Sequence, residues 1–172
     1  MNHYKGVIAC LLVPFMMTSA GCSMLGYQLG RSLPAYIKSV HVPVFENATG
    51  EPGLGAEMTR ATIQEFHREG SLSVTDEERA DIWLQVRLTD FQTRAVRYGA
   101  DTATVGEEYR FRVRAEVRLV RASTGMEMFS KTMVGEADGE LGGDIVSAKA
   151  QVLPEVAQDL AYRIVTAVVE YW

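Results

Sequence analysis

Cysteine is nearly missing from this chain: Cys10 and Cys22 are the only thiols in 172 residues. That count excludes a disulfide-stapled scaffold and a cysteine-rich zinc site. Positive charge is short as well. With 17 Lys and Arg against 22 Asp and Glu, the net charge is −5, so no global basic field attracts nucleic acid. The 3 histidines, His3, His41 and His67, stand in no metal-ligand spacing and beside no candidate nucleophile. Beyond the N-terminus, no stretch reaches the roughly 18 consecutive apolar residues that a spanning helix needs. The length suits one domain, and the chain carries neither an internal repeat nor a low-complexity tract.

What is present begins with the N-terminal segment. His3 and Lys5 lead into an apolar run from Gly6 to Met17, closed by the small residues Ser19-Ala20-Gly21 before Cys22. This is the layout of an export signal, and Pro14 would interrupt any buried helix there. Small residues directly before a cysteine resemble the bacterial lipoprotein signal. That resemblance implies cleavage before Cys22 and a lipid on its sulfur. Ser19 departs from the pattern, which usually has Leu there. Ser23, rather than Asp, after the cysteine implies sorting to the outer membrane of a Gram-negative-type bacterium. Several acyl chains give stable anchoring where one is marginal. Cys10 then leaves with the signal, and the mature chain has no free thiol. The expected organisation is a signal peptide over 1–21, a lipidated N-terminus and short tether over 22–35, and a single domain over 36–172.

In that domain, Val40, Val42 and Val44 alternate with His41, Pro43 and Phe45, a strand period, with Pro43 placing the strand at an edge or bulge. A dense turn cluster over 46–53 follows. Leu54 to Glu69 reads as a helix with Met58, Thr59, Thr62, Ile63 and Phe66 on its buried side and Gly70 as a left-handed cap. Leu72 and Val74 suggest a short second strand. Three longer strands follow, with Ile82 to Leu88, Tyr109 to Leu119 and Met126 to Val134 each alternating. Ser123-Thr124-Gly125 turns between the last two, and residues 99–106 form a flexible connection. A Gly-rich stretch over 135–143 separates them from a final helix expected from about Pro154 to Tyr171, with Val156, Leu160, Ile164, Ala167 or Val168, and Tyr171 as its buried stripe. The expected fold class is α+β: a two-layer sandwich, two helices packed on one face of a mixed four- to five-stranded sheet.

Catalytic chemistry is hard to find in this pattern. Glu77-Glu78 and Glu107-Glu108 are sequence neighbours, which rarely converge on one substrate. Gly53-Leu54-Gly55 lacks the third glycine and the lysine of a phosphate loop. The feature above background is a run of arginines on one face of one strand: Arg110, Arg112, Arg114 and Arg118, with Arg94 and Arg97 on the strand before. Like charges at alternate positions repel and ask for anionic partners. Arginine suits bidentate contact with phosphate or carboxylate, which carboxylates across the sheet, such as Glu127, could supply, as could a lipid A or glycan phosphate; the plain alternative is the solvated face of a two-layer fold.

Beyond Cys22, the chain resembles the LptE family in Gly26-Tyr27-Gln28-Leu29, Ile37-Lys38-Ser39-Val40, Val42-Pro43-Val44-Phe45-Glu46-Asn47, Glu51-Pro52-Gly53-Leu54, Glu57-Met58-Thr59-Arg60-Ala61 and Glu77-Glu78-Arg79-Ala80-Asp81. The resemblance covers essentially the whole mature chain. It implies two helices against a sheet, no catalytic residues and no cofactor. It also implies an outer-membrane lipoprotein that plugs and helps assemble the LptD β-barrel and assists lipopolysaccharide delivery to the outer leaflet. Its implied partners are that barrel, lipopolysaccharide and, through Cys22, the outer membrane. The family lends no residue for lipopolysaccharide contact, so the arginine stripe rests on its own chemistry. The alternative is a periplasmic lipoprotein that regulates a peptidoglycan synthase or serves another secretion complex. The short tether argues against reach across the periplasm, at roughly 3 Å per extended residue.

Overall fold

Alternation decides the sheet. The computed structural model describes residues 33–97, 107–141 and 145–172. The signal, Cys22, the tether up to residue 32 and the 99–106 connection lie outside the described residues. In chain order the elements are β1 (Ser39–His41), β2 (Glu46–Asn47), α1 (Leu54–Glu69), β3 (Ser73–Val74), a 3₁₀ turn (Glu77–Arg79), β4 (Ile82–Arg97), β5 (Glu107–Arg121), β6 (Met126–Leu141) and α2 (Ile145–Val169). The strands form one mixed sheet ordered β3-β1-β4-β5-β6, with β2 also paired to β4. The first three strands pair in parallel, and β4-β5-β6 is an antiparallel meander.

On β5, Phe111, Val113, Ala115, Val117 and Leu119 all point into one core, as do Ile82, Leu84, Val86 and Leu88 on β4. Both helices supply the other half of that core: α1 through Leu54, Met58 and Phe66, and α2 through Val156, Leu160, Ile164 and Val168. The sandwich is the expected α+β class, with six strands rather than four or five.

The extra strand comes from Pro43. Proline cannot donate to a ladder, so the expected first strand stops at His41 and resumes as β2. The interruption shifts the alternation by one residue: Val44 is 75% exposed, whereas Phe45 is buried. The strand is also not at an edge, since β1 lies between β3 and β4. Inside the break, Phe45 N–H donates to Thr59 Oγ1 at 2.9 Å, and Thr59 donates in turn to Gly55 O at 2.7 Å. A side chain at Gly55 would put its Cβ 2.7 Å from Phe45 O, so glycine is what lets the first turn of α1 approach.

Helix α1 has the expected limits, ending at Gly70 in the left-handed region with φ 82° and its N–H on Phe66 O. Two expectations near the C-terminus are corrected. The Gly-rich stretch from 135 is not a loop at its start: β6 runs through it to Leu141, and Gly135 and Gly139 face α2. An added Cβ would stand 2.5 Å from Leu160 Cβ at Gly135 and 2.2 Å from Val152 Cγ2 at Gly139, so these glycines let helix and strand pack closely. The helix starts at Ile145, not Pro154, and holds Pro154 in its interior. There the proline is solvent-exposed, where the carbonyl it leaves unpaired can reach water. Tyr171 lies past the helix and is 39% exposed, its ring tilted against Phe129 rather than part of the helix's buried stripe.

Candidate functional site

The face of the sheet turned away from the helices holds the arginines. Register sets Arg110 opposite Arg94 on β4 and Asp138 on β6. Arg112 stands between Gln92 and Glu136, Arg114 between Asp90 and Val134, and Arg118 between Gln85 and Ser130. A bulge between Leu88 and Asp90 keeps Asp90, Gln92 and Arg94 on this same face.

Of the five arginines on β5, Arg110, Arg112 and Arg118 find carboxylates within the sheet. Arg110 makes a bidentate pair with Asp138, Nε to Oδ1 at 2.7 Å and Nη2 to Oδ2 at 2.8 Å. Arg112 Nη2 reaches Glu136 Oε2 at 2.8 Å, and Arg118 Nε reaches Glu127 Oε2 at 2.7 Å. The hydrogen bonds to Asp138 push the Arg110 guanidinium above its ordinary value, and the same pair holds the Asp138 carboxyl low. These pairs are solvent-exposed, so each contributes little to stability.

Arg94 and Arg114 are different. Both are exposed, and neither has an ion pair among the described residues. Asp90, opposite Arg114, instead accepts from Gln92 Nε2 at 2.6 Å. Arg94 faces the like charge of Arg110. A concavity of about 240 Å³ opens here, lined by Gln92, Arg94, Ala95, Val96, Arg110 and Arg112. Because Arg110 and Arg112 bind their carboxylates through Nε and Nη2, each keeps Nη1 free of those pairs. Three guanidinium groups thus border one hollow, and Arg94 has no competing carboxylate. Such a place can take a phosphate or carboxylate without breaking an existing pair.

The structure therefore gathers Arg94, Arg110 and Arg112, with Arg114 one step along the strand. Arg118 sits apart, eight residues from Arg110, or roughly 27 Å at the rise of a strand. Arg97 ends β4 in register with Glu108. Sequence reading named Glu127 as a carboxylate partner but missed Glu136 and Asp138, because the glycines around them suggested a loop. The signal was there: Val134, Glu136 and Asp138 continue the period-two pattern of β6. Asp159 of α2 was also missed; its Oδ2 accepts from Glu136 N–H at 2.9 Å and from Arg163 Nε at 2.8 Å.

A second cleft, of about 680 Å³, lies at the other end of the sheet between Tyr36, Trp83 and Arg121, rimmed by Glu77 and Glu78. Its mixed charge makes it a poorer anion site. His41 Nδ1 lies 3.1 Å from Thr75 O, and His67 is exposed on the last turn of α1. Among the described residues, no group of His, Cys, Asp and Glu could hold a metal ion, and no helix is long and apolar enough to cross a membrane.

Solved structures share this α+β sandwich. A protein from Xanthomonas campestris superposes with a TM-score of 0.57 at 12% identity, covering 81% of this chain and 90% of that one. A PelC dodecamer from Paraburkholderia phytofirmans gives 0.52 at 20% identity, covering 81% and 94%. A protein from Chlamydia trachomatis gives 0.52 at 13% identity, covering 78% and 97%. At these identities the likeness establishes the fold alone. No curated protein matches the chain. The family follows from the sequence: the LptE family model, lipopolysaccharide-assembly, matches residues 37–168. The chain belongs to the LptE family.

Proposed function

We propose that this chain is an outer-membrane lipoprotein, anchored through Cys22, that plugs and helps assemble an LptD-type β-barrel and assists lipopolysaccharide delivery to the outer leaflet. The observation that carries the reading is the family match, which spans residues 37–168, nearly the whole folded domain. The role is assembly and binding rather than catalysis. An exposed sheet face of alternating arginines and carboxylates suits this work. It presents a wet, polar surface to a barrel lumen, which is itself polar. Within that face the hollow at Arg94, Arg110 and Arg112 is the proposed contact for a lipopolysaccharide phosphate.

The test is copurification of the tagged full chain from native outer membranes. A large β-barrel and lipopolysaccharide are expected in the eluate. Stimulation of a peptidoglycan synthase by the purified domain, with neither barrel nor lipopolysaccharide recovered, would replace this reading with the regulatory one.

A further inference from the structure

Among the described residues β6 has β5 as its one neighbour, so the other side of β6 is a free edge there. Two points on that edge are already closed by side chains from the C-terminal segment. Asp159 Oδ2 accepts from Glu136 N–H at 2.9 Å, and Tyr171 Oη donates to Met128 O at 2.8 Å. Period-two geometry turns the N–H and C=O groups of Ser130, Thr132 and Val134 to the same side as those of Glu136. No described residue pairs with these groups on that side, and Ser130 and Thr132 are exposed. An open row about 6.8 Å in repeat therefore lies between two capped points.

Beside this row runs a groove of about 330 Å³ between β6 and α2, lined by Lys131, Tyr162, Arg163, Thr166, Glu170 and Tyr171; Glu170 is the one carboxylate in its lining, against the two cations Lys131 and Arg163. Tyr162 is 59% exposed and offers an apolar ring face. Arg163 is held by Asp159. Lys131 has no carboxylate partner among the described residues; its ammonium lies 5.5 Å from the Phe129 ring centroid, on the helix side of the sheet.

We propose that this edge and groove receive an extended segment of a partner protein, which adds as a strand along Ser130–Val134. It sets an apolar side chain on Tyr162 and an acidic side chain against Lys131. Three features choose that occupant. A row of backbone donors and acceptors at strand spacing is matched by another extended backbone. An inward-pointing lysine at an edge opposes indiscriminate strand pairing, and a carboxylate on the incoming strand converts that penalty into selectivity. The same lysine disfavours a second copy of this chain. Antiparallel pairing of two β6 strands about Thr132 would place the two Lys131 side chains at diagonal positions, about 7–8 Å apart.

The probe is a phage-displayed random dodecapeptide library selected against the full mature chain in detergent, with the enriched peptides then made synthetically. Enriched peptides are expected to carry an acidic residue near an apolar one and to slow amide exchange at Ser130, Thr132 and Val134. Thr132→Pro removes the central outward N–H at an edge position that tolerates proline, and is expected to weaken binding roughly tenfold or more with an unchanged circular-dichroism melt. Lys131→Glu should shift the selection from acidic to basic peptides, and it tests the site independently of any strain from the proline. Peptides that protect other amides, equal binding by Thr132→Pro, or a library that yields no binder would overturn the proposal. So would concentration-dependent protection of the same amides without peptide, which would assign the edge to a second copy.

Discussion

Arg110 and Asp138 face each other across β5 and β6 and share two hydrogen bonds, 2.7 and 2.8 Å, in a planar fork. Arg94, directly across the other side of Arg110, shares nothing with it but charge. The stripe is therefore two populations, arginines committed to the sheet and arginines left over, and the two predict different losses on mutation.

Arg94→Glu should weaken binding to lipopolysaccharide vesicles roughly tenfold or more, the scale of a lost charge-assisted hydrogen bond. Its unfolding midpoint should hardly move, because an exposed residue without a partner contributes within about 0.5 kcal/mol. The loss should shrink as salt is raised. Arg118→Glu, which lies far along the strand and opposes Glu127, should leave binding nearly unchanged. Equal losses at both positions would assign the effect to overall charge.

Gly135 and Gly139 make room for α2. Gly139→Ala places a methyl 2.2 Å from Val152 Cγ2, and Gly135→Ala places one 2.5 Å from Leu160 Cβ and 2.9 Å from Val156 O. Each should destabilise by about 1–3 kcal/mol in denaturant unfolding, the usual range for overpacking. Gly135→Ala should cost more, since it meets backbone atoms as well as a side chain.

Thr59→Val should cost about 1–3 kcal/mol, because it strips the acceptor from the Phe45 N–H inside the break that Pro43 creates. Thr59→Ser keeps the hydroxyl and should cost much less. Urea unfolding of the pair separates the hydrogen bond from the packing.

Asp81 carries a pH prediction. Its Oδ2 accepts from Lys38 N–H at 2.9 Å and from the Ser39 hydroxyl and N–H at 2.8 and 3.0 Å. The Lys38 bond first, and then the Ser39 hydroxyl, hold the carboxyl below its ordinary value despite an opposing desolvation. A depressed carboxyl means that the unfolded chain binds the proton more readily. Its stabilisation is thus complete above the unfolded-state value and disappears as pH falls through the folded-state value. The stability gap between the native chain and Asp81→Asn should close as pH drops below the ordinary carboxylate range, read by unfolding at a series of pH values.

Where a local rule and tertiary packing agreed, the fold was legible. Helix α1 has a clean amphipathic stripe and a glycine cap, and its limits came out as expected; β5 alternates without interruption from Tyr109 to Leu119, so its facing came out as expected, with two residues more at each end. The misses occurred where glycine or proline carried a tertiary meaning. Gly135 and Gly139 read as loop residues because nothing local says that a helix will press on them. Pro154 read as a helix start because nothing local says that its side of the helix will face water. Pro43 was seen to disturb a strand, yet the shift that buries Phe45 depends on Thr59, fourteen residues away. For the site, the arginines were visible from composition, but their division into paired and unpaired needed the register of β4 and β6. That register rests on the bulges at 88/90 and 95/97; the first shows in the sequence only as a step of the apolar side from Leu88 to Phe91.

The proposed role puts an N-terminally lipidated chain inside a lipopolysaccharide-delivering barrel. The most direct measurement is native mass spectrometry of the tagged full chain extracted from its own outer membranes. One complex is expected, containing this chain beginning at lipid-modified Cys22, a large β-barrel protein and bound lipopolysaccharide. A chain recovered without a barrel partner, or with an unmodified Cys22 still preceded by residues 1–21, would contradict it.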